Sequence, residues 1–283
     1  MISKIRTLSD FIKKLEEIES KGYETIELFY RGHEDESYIM QPSLFRKDKL
    51  INNEYKLYKE IILENPREFS EDLTTLEKLV RMQHFGLPTR ILDLTRNPLV
   101  ALFFACTNQN GRINRNVDGE VVVLSIPSDE IKYYDSDSVS ILSNLCKLKP
   151  EEKEFNTTLP KKKFNEEENV YKLVHAIREE KSYFSNVINP SDINGVFCVK
   201  VKKNNPRILI QDGLFLIFGI GIAGRKAEVD NSWKLFKSDN KKIVIDKDCK
   251  MQIIKELEKI SITRKTLFPD IESSAKMIKK KYS

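Results

Sequence analysis

The chain reads as an α+β protein: a single mixed or antiparallel sheet domain with packed helices. Three observations carry that reading. Apolar stripes of helical period and short alternating runs of strand period are interspersed without the regular alternation of a doubly wound sheet. Asp118-Gly119 and Asp212-Gly213 each stand before a strand-like run, as turn dipeptides do. Leu99–Cys106 is apolar all round, so the helix it forms is buried. The 283 residues are enough for a substantial core and are read as one domain over 1–283.

In order, residues 9–20 predict a helix capped by Ser9 or Asp10, with Phe11, Ile12, Leu15 and Ile18 on one stripe. Residues 25–31 alternate and predict a strand ending at Arg31-Gly32. Pro42–Phe45 is a loop or short turn. Residues 52–64 and 73–85 are helical, separated by Pro66 and a capping-type Ser70. Pro88 breaks the second helix, leaving Thr89–Leu94 a short extended segment. Asn97-Pro98 has the form of an N-cap followed by proline at the first helical position.

Further strands are expected near 120–126, 195–201 and 207–218, the last as Arg207–Gln211 and Gly213–Gly219 on either side of the Asp-Gly turn, and a short one at 242–245. Helices are expected at 169–179, 247–261 and 271–281. Between them, 127–170 carries Ser/Asp clusters and the run Lys161–Lys163, and reads as a charged, solvated insertion.

Lys and Arg number 48 against 43 Asp and Glu, a net charge of +5 that permits an anionic ligand without implying nucleic acid. Mean hydropathy is −0.44. The four cysteines are far apart, with no metal-ligand spacing, so no metal site and free thiols in a reducing compartment are expected. The first residues lack the apolar stretch of a signal peptide, and no apolar run is long enough to span a membrane. A cytoplasmic location follows as the expectation.

The functional centre is placed at Met82–Ala105. An otherwise apolar segment there holds His84, Thr89, Arg90, Asp93, Thr95 and Arg96. A charge taken out of water costs several kcal/mol unless paired. These groups therefore either pair in a buried network that pins the loop under the buried helix, or face a cleft that a ligand completes. Asp93 can accept from Arg90 or Arg31, and Thr89 and Thr95 can orient either. Arg31, Arg90, His84 and Asp93 are expected to meet. Arg31 can grip phosphate or carboxylate with two N–H groups, and Gly32 beside it lets a ligand approach the backbone. An exposed edge ion pair is the alternative for Arg31. No Ser-His-Asp order, no phosphate loop of the G-x-x-x-x-G-K type and no H-E-x-x-H motif occurs. Gly219–Gly224 has the form G-x-G-x-x-G but lacks its strand–helix–strand setting.

Phe29–Gly32, Met82–Pro98, Ala101–Ala105, Gln211–Phe215 and Leu267–Asp270 resemble, in this order, the FRG domain family, named for its (F/Y)-R-G motif. His33 stands where that family often has glutamine. The resemblance spans about residues 20 to 280, and it implies bacterial and phage settings, with toxin or phage-defence roles. The chain also resembles the ADP-ribosyltransferase fold. Arg31, Thr95, the helix Leu99–Ala105 and the strand Glu120–Ile126 run in that fold's order, and Gln211 lies where the acidic residue would fall.

That second resemblance implies an NAD-dependent transferase or glycohydrolase. Arg31 would anchor the pyrophosphate, and His84 and Thr95 would position the nicotinamide ribose. Gly32, Thr89, Arg90 and Asp93 would complete the nucleotide site, and Gln211 would face the ribose. Cleavage of the glycosidic bond passes through an oxocarbenium-like state that a carboxylate stabilises. Asp212 or Glu120 would have to supply the charge glutamine lacks. The acceptor would be a protein or a nucleic acid, and no membrane is involved. A non-catalytic sensor of a nucleotide or phage component is one alternative. An RNA-directed effector, supported by Lys279–Lys281, is another.

Overall fold

The computed structural model describes residues 4–19, 25–108, 111–221, 226–235 and 242–270. The chain runs through α1 (Leu8–Glu19), β1 (Ile26–His33), α2 (Asp48–Asn52), α3 (Glu54–Glu64), α4 (Thr75–His84), β2 (Ile91–Thr95), α5 (Pro98–Cys106), β3 (Gly119–Pro127) and β4 (Lys132–Tyr133). It continues through α6 (Asp137–Asn144), α7 (Lys161–Phe164), α8 (Glu168–Arg178), α9 (Pro190–Asn194), β5 (Val196–Lys200), α10 (Pro206–Ile210) and β6 (Gly213–Phe218). The last elements are β7 (Ile243–Ile245), α11 (Lys250–Lys259) and α12 (Arg264–Leu267). The strands form one mixed sheet in the order β4-β5-β6-β2-β1-β3-β7, so the fold is α+β. β4 and β5 pair in parallel, and the other pairs are antiparallel.

Pleating puts alternate residues on opposite faces. Tyr30 is paired with Thr95, so these two and Ile91 share one face. Two groups of helices cover that face. Tyr30, Val121 and Val123 pack with α1, α5 and α11. Ile91, Phe215 and Ile217 pack with α3, α4, α6 and α8. The opposite face buries Phe29, Leu92, Leu94, Leu124, Leu216 and Phe218 against Leu44, Phe45 and Trp233. The segment Met82–Ala105 crosses from one helix group to the other, because α4 belongs to the first-covered half's neighbour and α5 to the half built on β1 and β3.

Local chemistry explains the key elements. Thr74 and Glu77 form a reciprocal capping box at the start of α4, so the cap is Thr74 and not Ser70. Asn97 accepts from the Leu99 N–H and Pro98 opens α5, as its sequence predicts. Gly32 and Gly119 let α5 sit directly on the sheet. A Cβ on Gly32 would fall 2.0 Å from the Ala101 carbonyl oxygen, and one on Gly119 2.1 Å from that of Ala105.

Two expectations are corrected. Residues 207–211 form α10 and no strand. Asn205 caps the Arg207 N–H, Pro206 opens the turn, and Ile208 is buried while Leu209 and Ile210 are exposed. Asp212, at φ +43°, then reverses the chain into β6. The stretch 127–170 is charged on its surface but is not solvated throughout: Val139, Ile141, Leu142, Leu145, Cys146 and Phe164 are buried in the core. Its Ser and Asp residues lead into and lie within α6, where Ser143 and Asn144 turn their side chains onto backbone carbonyls. The helix expected at 271–281 and the run Lys279–Lys281 lie outside the described residues, as does the end of Gly219–Gly224.

Candidate functional site

β1 holds an eight-pair ladder with β3 but meets β2 at the single pair Tyr30–Thr95. Past that pair the sheet parts between its two halves. A cleft of about 410 Å³ opens there, lined by Arg31, His33, Arg46, Asp93, Thr95, Phe104, Arg207 and Gln211 among others. The cleft therefore sits where the two helix groups also meet.

Arg31 stands at the centre. Its Nε donates to His33 Nε2 at 3.2 Å and its Nη1 to the Asp93 carbonyl at 2.6 Å. Among the described residues no carboxylate bonds it. Burial pushes its pKa below the ordinary arginine value, Asp93 opposes that, and Arg46 adds to it. The group stays charged at any physiological pH.

Two further guanidinium groups face the same space. Arg46 lies 5.8 Å from the centre of the Tyr38 ring. Arg207 lies 4.5 Å from that of Phe268, and burial also lowers its pKa, against Asp93 and Asp270. Three guanidinium groups thus outnumber the two carboxylates in the lining, Glu34 and Asp93. The Asp93 carboxylate accepts from Gln83 Nε2 at 2.6 Å, and Gln83 Oε1 in turn accepts from the Thr89 hydroxyl at 2.6 Å. This chain of bonds fixes the carboxylate at the cleft edge.

Thr95 donates its hydroxyl to the Gln211 carbonyl at 2.5 Å and accepts from the Asn97 N–H. It ties β2 to the turn before β6. Gln211 Nε2 donates to the Leu267 carbonyl at 2.9 Å, so its amide anchors the last residue of α12 at the cleft wall. His84 lines a small neighbouring pocket with Gln83, and Asp93, Arg207 and Gln211 line both that pocket and the cleft. Burial and Arg207 lower its pKa, which keeps the ring neutral near pH 7.

Arg31, Asp93, Thr95 and Gln211 are thus gathered, with His84 beside them. Arg90 is not. It is 2% exposed and bonds Glu54 through Nε at 2.7 Å and Nη2 at 2.5 Å, with Nη1 on the Phe218 carbonyl. Lys153 adds a second cation to Glu54 at 2.5 Å. Arg90 lies one residue before β2 and is saturated by protein. Thr89 reaches the cleft only through Gln83. Gly32 lines the cleft, but the room its missing side chain leaves is taken by α5 and not by a ligand. Asp212 pairs with Lys203 at 2.7 Å and Glu120 sits behind His33, so neither faces the cleft as the missing acid.

Sequence reasoning missed Arg46, Arg207, Gln83 and the bond from Arg31 to His33. Gln83 was legible in principle, one turn before Pro88 within the polar-rich segment. Arg46 and Arg207 come from turns distant in sequence, and no local pattern marks them.

Among the described residues no group of three or more His, Cys, Asp or Glu is gathered as a metal site would need. No helix among them is long and apolar enough to cross a membrane. The family model described as FRG domain matches residues 26–112, from β1 through α5, so the chain carries an FRG domain there. The motif-like pieces at 211–215 and 267–270 lie outside the matched residues but line or border the same cleft. No curated protein and no solved structure matches the chain.

Proposed function

We propose that this FRG domain protein binds a nucleotide by its phosphates in the cleft between β1 and β2, and that NAD is the substrate it cleaves or whose ADP-ribose it transfers. One observation carries the reading. Three guanidinium groups converge on a cleft, and the central one, Arg31, is held by a neutral ring and a backbone carbonyl, with no carboxylate bonded to it among the described residues. Arginine in that state suits a planar, multivalent anion such as a pyrophosphate. The volume is within the range of small-molecule sites.

Asp93 supports the chemical half of the proposal. It is a carboxylate fixed by Gln83, flanked by Arg31 and Arg207, and it opens to the cleft. A carboxylate so placed can stabilise the positive charge that develops on a ribose as its glycosidic bond breaks. It takes the role for which Gln211 carries no charge. Thr95 and His84 then border the ribose, and Phe104 gives an apolar wall. Consumption of NAD would suit a toxin or phage-defence effector, the setting the family resemblance suggests.

Nicotinamide release from NAD, followed by chromatography with and without protein and nucleic-acid acceptors, tests this. Release by the wild type and its loss in Asp93→Asn is the expected result. Tight binding of NAD with no turnover would instead favour the non-catalytic sensor.

A further inference from the structure

His33 follows the Arg-Gly pair on β1 and is buried. Its Nε2 accepts the Arg31 Nε–H, so that nitrogen carries no proton. The ring is then the neutral tautomer protonated on Nδ1. Across the strand pair, Glu120 Oε2 lies 3.7 Å from Nδ1, beyond hydrogen-bond length. His33 Nδ1 is accordingly a buried polar atom with no hydrogen-bond partner among the described residues. Glu120 is directly opposite His33 in the β1–β3 register and is itself buried.

Arg31 has five N–H groups. His33 takes the one on Nε and the Asp93 carbonyl one on Nη1. No partner among the described residues takes the other three, which are left for an anion in the cleft. The two bonds hold the guanidinium plane from both sides, from β1 itself and from β2 across the parting of the sheet. Holding the plane in advance removes part of the ordering cost that a long side chain would otherwise meet on binding.

We infer that His33 is a positioning residue for Arg31, and that it must be neutral, with Nε2 free to accept, for the cleft to bind an anionic ligand. This rests on the reading that Arg31 grips the phosphates. A second proton on the ring would turn Nε2 from acceptor to donor against the Arg31 N–H groups. The groups that face the ring decide when this happens. Arg31 on its own strand and Arg46 on the turn after it disfavour the cation, as does burial. Glu120 on β3 favours it. Asp35 lies close enough to feel its charge, and the Tyr38 ring meets it edge-on at 6.2 Å. Burial dominates, so protonation falls below the usual imidazole range.

Two measurements test this on the whole chain. Long-range 1H–15N NMR of the ligand-free protein reads the tautomer directly. An unprotonated Nε2 and a protonated Nδ1 at pH 7 are expected, and a proton on Nε2 overturns the inference whether or not any ligand binds. Calorimetric binding of ADP-ribose, whose pyrophosphate does not titrate in this range, gives the second readout between about pH 5 and 8. The wild type should weaken as pH falls. His33→Gln, which keeps an acceptor but cannot titrate, should bind near wild-type strength at pH 7 and lose the acid decline. His33→Ala should weaken binding about tenfold, as the loss of one hydrogen bond to a charged group does. An unchanged acid decline in His33→Gln overturns the inference. Failure of the wild type to bind ADP-ribose at any pH defeats the phosphate reading of the cleft, and the NMR result then stands alone on the bond from Arg31 to His33.

Discussion

Arg31 within β1 and Arg90 just before β2 belong to paired strands and differ in what surrounds them. Arg90 is sealed in the core on a carboxylate, with a lysine as a second partner to that carboxylate and a backbone carbonyl on its remaining nitrogen. Arg31 has a neutral imidazole and one carbonyl, and lines a cleft. The first arrangement, with each nitrogen bonded to protein and the side chain sealed in the core, is closed to a ligand. The second leaves N–H groups and uncompensated charge. The two arginines show that a charged side chain in an apolar segment is either saturated by protein or completed from outside, and that the partner list separates the cases.

The largest expected effect lies at the saturated site. Glu54→Ala strands Arg90 and Lys153 in the interior and should cost about 3–5 kcal/mol of stability, read from urea unfolding. A loss below about 1 kcal/mol would show that water reaches this cluster and that the contrast with Arg31 is false.

The same carboxylate also sets an acid limb. Burial alone would raise the Glu54 pKa, but Arg90 and Lys153 hold it down to about 2 from 4.5. A depressed carboxylate contributes stability that is complete above its unfolded value and is lost as pH falls through its folded one. The contribution at neutral pH is on the order of 3 kcal/mol and disappears between about pH 4.5 and 2. Glu54→Gln should flatten stability across that window, and an unaltered slope would assign the acid limb to other groups.

Gly32→Ala sharpens the comparison from the packing side. Its Cβ would meet the backbone of α5, which cannot swing aside as a flexible side chain can. A loss of about 3 kcal/mol is expected. Near-native stability combined with lost ligand binding would return Gly32 to the ligand-approach role its sequence suggests.

Most of the fold was legible for physical reasons that act locally. Asn97-Pro98 and the apolar run behind it specify α5 by capping and composition alone. The run from Thr25 to Tyr30 and the β-branched run Glu120–Ile126 behind the Asp118-Gly119 turn are enough to define strands. Arg207–Gln211 misled because an isolated apolar run reads as strand or helix, and Pro206 with Asn205 decided it. The 127–170 stretch misled because its charges sit between the buried positions of α6 and α7, which a composition count averages away.

The site was half legible. Asp93, Thr95 and Arg31 stand in motifs, but Arg46 and Arg207 reach the cleft through tertiary packing. Arg90 was drawn into the site because its sequence neighbours belong there. One step along an extended segment turns a side chain to the other face of the sheet.

Asp93 carries a smaller structural effect than a buried pair would. Its carboxylate is exposed and bonds Gln83, and Arg31 uses its backbone carbonyl, which any residue supplies. Asp93→Ala should therefore cost under about 1 kcal/mol while removing NAD turnover. A loss of 3 kcal/mol or more would make Asp93 a structural anchor.

The measurement closest to the central claim is the melting temperature of wild type, Arg31→Ala and Arg90→Ala, each with and without ADP-ribose. Arg31→Ala should melt close to wild type yet gain nothing from the ligand, whereas the wild type should be stabilised by it. Arg90→Ala should melt far lower. If Arg31→Ala and Arg90→Ala fall by the same large amount, both arginines are structural and the cleft is not a phosphate site.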